Sequence, residues 1–241
     1  MENISPSASP APAPRSVAAD RAVAWWTEAW TLFMKAPGIW IVFGLITFLL
    51  LAVLNFFIPL LGGLVSALIL PVLVGSWMLA ARKVEGGGTL ELNDLFAAFK
   101  DKLSPLVVLG ALLLGASVVA VLVASLLGVG AWVGVWAGGG QGVAWSAGLL
   151  GMLVVLAFAT VVAMVFWYAP PLIVLRGVAP VDAAKASFAA CLKNIVPFLI
   201  YSVIYLIASV IASLLFGLGW ILLVPVLMLT AYTSYKDLFG D

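Results

Sequence analysis

Histidine is missing from this sequence altogether, and cysteine occurs once, at Cys191. The first absence removes the commonest metal ligand and the commonest general base, and with them every Ser-His-Asp or Cys-His arrangement. The second excludes an internal disulfide. Charge is scarce as well. Charged residues make up 9% of the chain, against about 25% in soluble domains, and hydrophobic residues 65%, against about 45–50%. A soluble globule of 241 residues needs a polar coat that this composition does not supply, so the solvent around most of the chain is expected to be lipid. The formal net charge of +1 offers no attraction to nucleic acid, and no such partner is expected.

The few charges fall in four clusters: the N-terminal region to Lys35, Arg82 to Lys102, Arg176 to Lys193, and the end of the chain from Lys236. Between them lie charge-free stretches at 36–81, 103–175 and 194–235. A membrane-crossing helix needs about 20 mainly apolar residues, so each stretch holds two, and spans are predicted at 38–58, 62–81, 105–127, 147–172, 196–215 and 218–235. The expected fold is an all-α integral membrane protein, with six transmembrane helices as three hairpins and a cytoplasmic interfacial amphipathic helix before each. All 11 Lys and Arg residues then lie on one side, which the positive-inside tendency makes cytoplasmic along with both termini. Outer turns are expected at 59–63 (PLLGG) and 216–220 (FGLGW). The connection at 128–142, GVGAWVGVWAGGGQG, reads as an apolar interfacial loop with Trp132, Trp136 and Trp145 in the interfacial belt, or alternatively as a re-entrant loop. Residues 1–20, rich in Pro, Ala and Ser, lack the pattern of a secretory signal and read as a disordered tail ahead of a single helical domain at 21–241.

Three segments too charged to span have helical apolar spacing. Val23, Trp26, Trp30, Phe33 and Met34 share one face of the first. Leu92, Leu95, Phe96, Phe99 and Leu103 line the second, and Val181, Ala184, Phe188, Cys191 and Leu192 form a weaker stripe on the third. Each suits an amphipathic helix in the interface plane, and Pro37, Pro105 and Pro197 follow them as helix-starting prolines. Ser104 and Asn194 are plausible caps there. The recurrence suggests a threefold repeat, 21–90, 91–179 and 180–241. Pro71, Pro170–Pro171 and Pro225 sit inside the second helix of each hairpin, where proline kinks a helix and frees a carbonyl.

The predicted spans hold no ionisable residue, although such residues mark ion paths and proton relays. Asn55 reads as a packing or interfacial amide. Ser66, Ser117, Thr160, Ser202, Ser209 and Ser213 read as hydroxyls bonded to their own helices, beside small residues at helix contacts, among them Gly62, Gly63, Gly110, Gly115, Ala208 and Ala212. Glu85, Glu91, Asp94, Asp101 and Asp182 have no His or Cys partners at metal spacing. The glycines of EGGGTLELND lack the Lys-Ser/Thr of a phosphate loop. Cys191 reads as a buried thiol, and Asp182 with Lys185 as a solvated pair. No catalytic, cofactor or metal residue is assigned, and no cofactor is expected.

From Trp26 to Phe239 the chain resembles an uncharacterised family of proteobacterial inner-membrane proteins. LFMKAPGIW (32–40), FWYAPPLIVL (166–175), ASFAACLKNIVPF (186–198) and PVLMLTAYTSYKDLF (225–239) carry the resemblance. More distantly it is similar to the membrane domain of some glycerophosphodiester phosphodiesterases, whose soluble catalytic domain is not expected here. The resemblance implies a bacterial inner-membrane location and contributes no catalytic residue. The expected function is non-enzymatic: organising lipids or a membrane partner, which includes a second copy of the chain. The alternative is a transporter or channel for an apolar or lipid-like substrate, and a membrane enzyme is the third reading.

Overall fold

A computed structural model describes residues 9–134 and 140–240, with side chains undescribed at 59–60 and 127–147. Among the described residues the fold is all-helical: α1 (Arg21–Met34), α2 (Pro37–Phe57), α3 (Pro59–Glu85), a 3₁₀ turn (Leu92–Phe96) running into α4 (Ala97–Asp101), α5 (Leu103–Gly134), α6 (Gly140–Arg176), α7 (Pro180–Lys193), α8 (Ile195–Leu214) and α9 (Trp220–Phe239). Six helices, α2, α3, α5, α6, α8 and α9, are long and apolar enough to cross a membrane.

The helix limits follow local chemistry. Pro37 and Pro59 start α2 and α3, where a missing N–H costs nothing. The break between these helices is Ile58 alone, so the turn expected at 59–63 is already helix. Residues 215–219 do form a turn before α9, with Phe216 at φ 54° and Gly217 at φ 78°. The segment at 92–103 is interrupted rather than one helix: Glu91 and Asp94 close a reciprocal capping box at the start of the 3₁₀ turn, and Leu103 already belongs to α5. Of the 128–142 connection, residues up to Gly134 and from Gly140 belong to α5 and α6. Trp136 lies outside the described residues, as do the side chains of Trp132 and Trp145, and so does the loop reading itself. Ser104 lies within α5 rather than capping it.

Burial is concentrated at the charged end of the bundle. In the second helix of each pair it sets in at the proline. Residues 71–78 of α3, 168–174 of α6 and most of α9 from Leu223 are buried. These three helices touch one another. Trp40 stacks on Trp77 at 5.4 Å with Phe43 edge-on, and α1, α4 and α7 pack around the cluster. At Gly75, α3, α5 and α6 meet so closely that a Cβ would lie 2.8 Å from Val174 and 2.9 Å from Leu106. The opposite ends of the helices are open. Phe56, Leu126, Leu153, Leu206 and Phe216 are all more than half exposed.

The surface helices have two apolar faces. On α1 the inner face is Ala22, Trp25, Ala29, Leu32 and Phe33, while Val23, Trp30 and Met34 of the expected stripe are exposed. On α7, Ala183, Ala186, Ser187, Ala190 and Cys191 face the protein, and Val181 and Leu192 face out. In the middle segment Leu95 is buried and Phe99 packs on the core, whereas Leu92, Phe96 and Leu103 are exposed.

The reading of residues 1–20 as a free tail needs correcting for 9–20; residues 1–8 are outside the described part. Residues 9–18 lack helix or strand but run along the body as a strap. Ser9 bridges Val178, the Arg15 N–H donates to the Leu238 carbonyl at 2.7 Å, and Lys193 donates to the Pro14 carbonyl at 2.9 Å. Asn194 is 1% exposed and holds the N-cap position of α8, but its side chain makes no capping bond. Its Oδ1 accepts the Val17 N–H, and its Nδ2 donates to the Arg15 and Ala190 carbonyls, all at 2.9 Å. A Pro-rich stretch has few N–H groups to satisfy, and one buried amide side chain supplies the missing pairing.

Candidate functional site

Among the described residues an apolar cleft of about 560 Å³ lies between α6, α8 and α9, reached also by Val74 of α3 and Cys191 of α7. That volume lies within the usual range for small-molecule sites, about 300–1,000 Å³. Met164, Trp167, Phe198, Leu199, Tyr205 and Met228 supply much of its wall. The aromatic members are fixed by one another. Tyr201 stacks on Trp26 at 5.3 Å and meets Trp167 edge-on at 5.6 Å, and Trp167 meets Phe198 at 6.3 Å. The Tyr201 hydroxyl is paired with Thr230 at 2.9 Å. The Trp167 indole N–H is buried and has no partner among the described residues. A buried donor left unpaired is costly, and this one belongs to a residue of the cleft wall.

The wall at α6 carries a second irregularity. Ser187 of α7 inserts its hydroxyl into the helix ladder. It donates to the Met164 carbonyl at 2.6 Å and accepts the Tyr168 N–H at 2.9 Å. An inserted side chain of this kind bends a helix, just before the double proline. One turn along α7, the Cys191 thiol also points at the Met164 carbonyl, at 3.6 Å. Burial pushes that thiol up to about 12, so at neutral pH it is a packing group and not a nucleophile.

The other residues singled out by sequence take structural places. Asn55 donates to the Leu51 carbonyl and, at 2.9 Å, to Ser66, tying α2 to α3. Ser117, Thr160, Ser202, Ser209 and Ser213 bond to their own helix backbones. Gly62 and Gly110 sit at close helix contacts, while Gly115 faces open space. Asp94 pairs with Lys83 across the glycine loop at 2.9 Å, and Asp182 with Lys185 at 3.7 Å with both side chains well exposed. Glu85 pairs with Lys236 and accepts the Tyr232 hydroxyl at 2.7 Å. Sequence reading did not find the cleft, because its wall comes from helices far apart in the chain. The small-residue face of α7 was the only signal for Ser187. Compared with known proteins, the chain matches no family model, no curated protein and no solved structure.

Proposed function

We propose that the chain is a non-enzymatic, multi-pass inner-membrane protein that holds lipid, with an acyl chain in the cleft between α6, α8 and α9. The cleft itself carries the reading. It is lined almost wholly by apolar side chains on membrane-length helices. In the proposed arrangement α2–α3, α5–α6 and α8–α9 are three hairpins with all charged clusters on the cytoplasmic side. Segments α1, α4 with its 3₁₀ turn, and α7 lie at that interface. Their outward residues Val23, Trp30, Met34, Leu92, Phe96, Val181 and Leu192 face lipid. The resemblance to uncharacterised proteobacterial inner-membrane proteins supports the same location.

The test is a phospholipid carrying a photoreactive group in its acyl chain, cross-linked to the full chain in native-like membrane and mapped by mass spectrometry. Adducts are expected to concentrate on Met164, Leu199 and Met228 and to fall when Ala163→Phe fills the cleft. Adducts spread evenly over outward residues such as Leu122, Leu126 and Leu153 would overturn the reading. The interrupted ladder at Met164–Tyr168 favours a second reading, a carrier for an apolar or lipid-like molecule, since broken helices build sites in transporters. Lipid transfer between vesicle populations that requires the protein would favour it.

A further inference from the structure

On the far side of α9 from the apolar cleft lies a second cavity, of about 460 Å³, with different chemistry. Its wall holds three cations, Arg21, Lys35 and Lys236, and three carboxylates, Glu28, Glu85 and Asp237, with Thr31 between Glu28 and Lys35 on α1. Most of these charges are already committed. Arg21 grips both oxygens of Asp237, at 2.5 and 2.7 Å, and reaches Glu28 at 2.8 Å. The Asp237 hydrogen bond raises the Arg21 pKa further above its ordinary value. The Trp25 indole N–H donates to Asp237 at 2.7 Å, and Lys236 pairs with Glu85. Lys35 differs. Among the described residues its ammonium has no carboxylate within salt-bridge reach, only the Val84 carbonyl at 3.4 Å. Glu28 receives a single bond, on one oxygen.

Lys35 and Glu28 stand two turns apart on one face of α1, about 10 Å along the axis. Thr31 lies between them, its hydroxyl donating to Thr27 and its lone pairs free to accept. Lys35 also sits two residues before Pro37, where the first membrane-length helix begins. Leu32 supplies the apolar part of the wall. The cavity therefore offers a cation with no salt bridge among the described residues, a half-used carboxylate and an apolar flank, and its wall carries equal numbers of both signs.

We propose that this cavity holds the headgroup of an amine-bearing zwitterionic phospholipid, with the phosphate at Lys35 and the ammonium at Glu28 and Thr31. A purely anionic headgroup would leave the second oxygen of Glu28 without a donor. A trimethylated headgroup would lack the N–H donors that Glu28 and Thr31 can accept. The assignment rests on the membrane arrangement proposed above, which puts this cavity at headgroup level.

The test is native mass spectrometry of the full chain released from vesicles of equal phosphatidylethanolamine, phosphatidylcholine and phosphatidylglycerol with identical acyl chains. Phosphatidylethanolamine is expected to be retained preferentially. Lys35→Gln is expected to lower that retention about tenfold, the loss of one charge-assisted contact. Glu28→Gln is expected to abolish the preference over phosphatidylcholine. Equal retention of the three lipids by the wild type, or unchanged retention by both variants, would overturn the proposal. Glycerophosphoethanolamine at millimolar concentration is expected to leave the lipid in place, and displacement by it would reassign the cavity to a soluble ligand. Ala163→Phe separates the two sites. Acyl cross-links that persist in this variant, beside an intact headgroup preference, count against the apolar cleft alone; cross-links lost in this variant while the wild type retains the three lipids equally count against this cavity alone.

Discussion

Asn194 offers a quantitative test of the strap. Its buried amide makes three hydrogen bonds, two of them to the strap, at the Val17 N–H and the Arg15 carbonyl. Substituting Ala removes both. Each bond contributes about 1 kcal/mol net, so the strap loses about 2 kcal/mol of attachment. The remaining holders include the Arg15 N–H to Leu238, the Ser9–Val178 bridge, Lys193 to Pro14 and the packing of Ala11 and Val17 on the core. The detached population should rise about 30-fold, at 1.4 kcal/mol per factor of ten. Trypsin reads this directly, because Arg15 lies inside the strap. When detachment and return are fast, cleavage tracks the open population. Asn194→Ala is expected to speed cleavage after Arg15 about 30-fold at unchanged protease concentration. Lys193→Ala, which removes an exposed contact, should speed it less than about threefold.

The lost Asn194–Ala190 bond could also loosen the body, so cleavage after Lys100 serves as the internal reference. Acceleration confined to Arg15 reports the strap. A wild-type rate at Arg15, or equal acceleration at both sites, would refute the reasoning.

Two further outcomes follow from packing and burial. Gly110→Ala would place a Cβ 2.8 Å from the Ala67 carbonyl oxygen and 2.9 Å from the Leu68 Cα, and is expected to destabilise the protein by about 1–3 kcal/mol in a denaturation series followed by tryptophan fluorescence. Gly115→Ala meets nothing within 4 Å and is expected to be neutral or to gain up to about 1 kcal/mol from helix propensity; equal effects of the two substitutions would refute the close α3–α5 contact. For Cys191, with its thiol pushed up to about 12 by burial, the thiolate fraction grows as pH rises. Maleimide labelling of the folded protein should therefore accelerate about tenfold per pH unit from 7 to 10, and a plateau near the ordinary thiol value of about 8.5 would contradict the burial.

The membrane-length helices were legible because a charge-free run of 40 or more residues can be little else in this composition. Their ends were less so. Pro59 reads as a turn residue, yet it serves as the first residue of α3, and the break shrinks to Ile58. The inner faces of α1 and α7 were not legible, for a physical reason. A stripe of large apolar residues marks the buried side only when water lies opposite. Where lipid lies opposite, Val181, Leu192, Trp30 and Met34 suit the outside, and close packing selects Ala183, Ala186, Ser187 and Ala190 for the inside. Asn194 looked like a cap from its place before Pro197, and nothing local distinguishes a capping amide from one that binds a segment 177 residues away. The two cavities depend on helices meeting from distant parts of the chain, which periodicity within one segment does not encode.

The prolines connect the repeat suggested by the sequence to the position of the core. Pro71 has no N–H for the Ala67 carbonyl, and Gly110 of α5 brings its backbone against that same carbonyl. A glycine there allows a Cα–H···O approach to an acceptor left open by the proline. The Pro225 ring faces Gly44 of α2, whose Cβ would lie 3.5 Å away. Around Pro170 and Pro171 the small face of α7 takes this role, with Ser187 entering the ladder one turn earlier. In all three cases a neighbouring helix presents a small residue within about a turn of the proline, and burial begins there. Within lipid, apolar contact between helices gains little, because the acyl chains are equally apolar. Beyond the lipid the same contact removes area from water, at about 25 cal/mol per Å². A helix that passes from one solvent to the other changes its packing partners at the boundary. A bend with a small residue beside it makes that change possible without a void. The recurrence of this device in α3, α6 and α9, each running into a basic residue, is the strongest physical support for reading the chain as three related units.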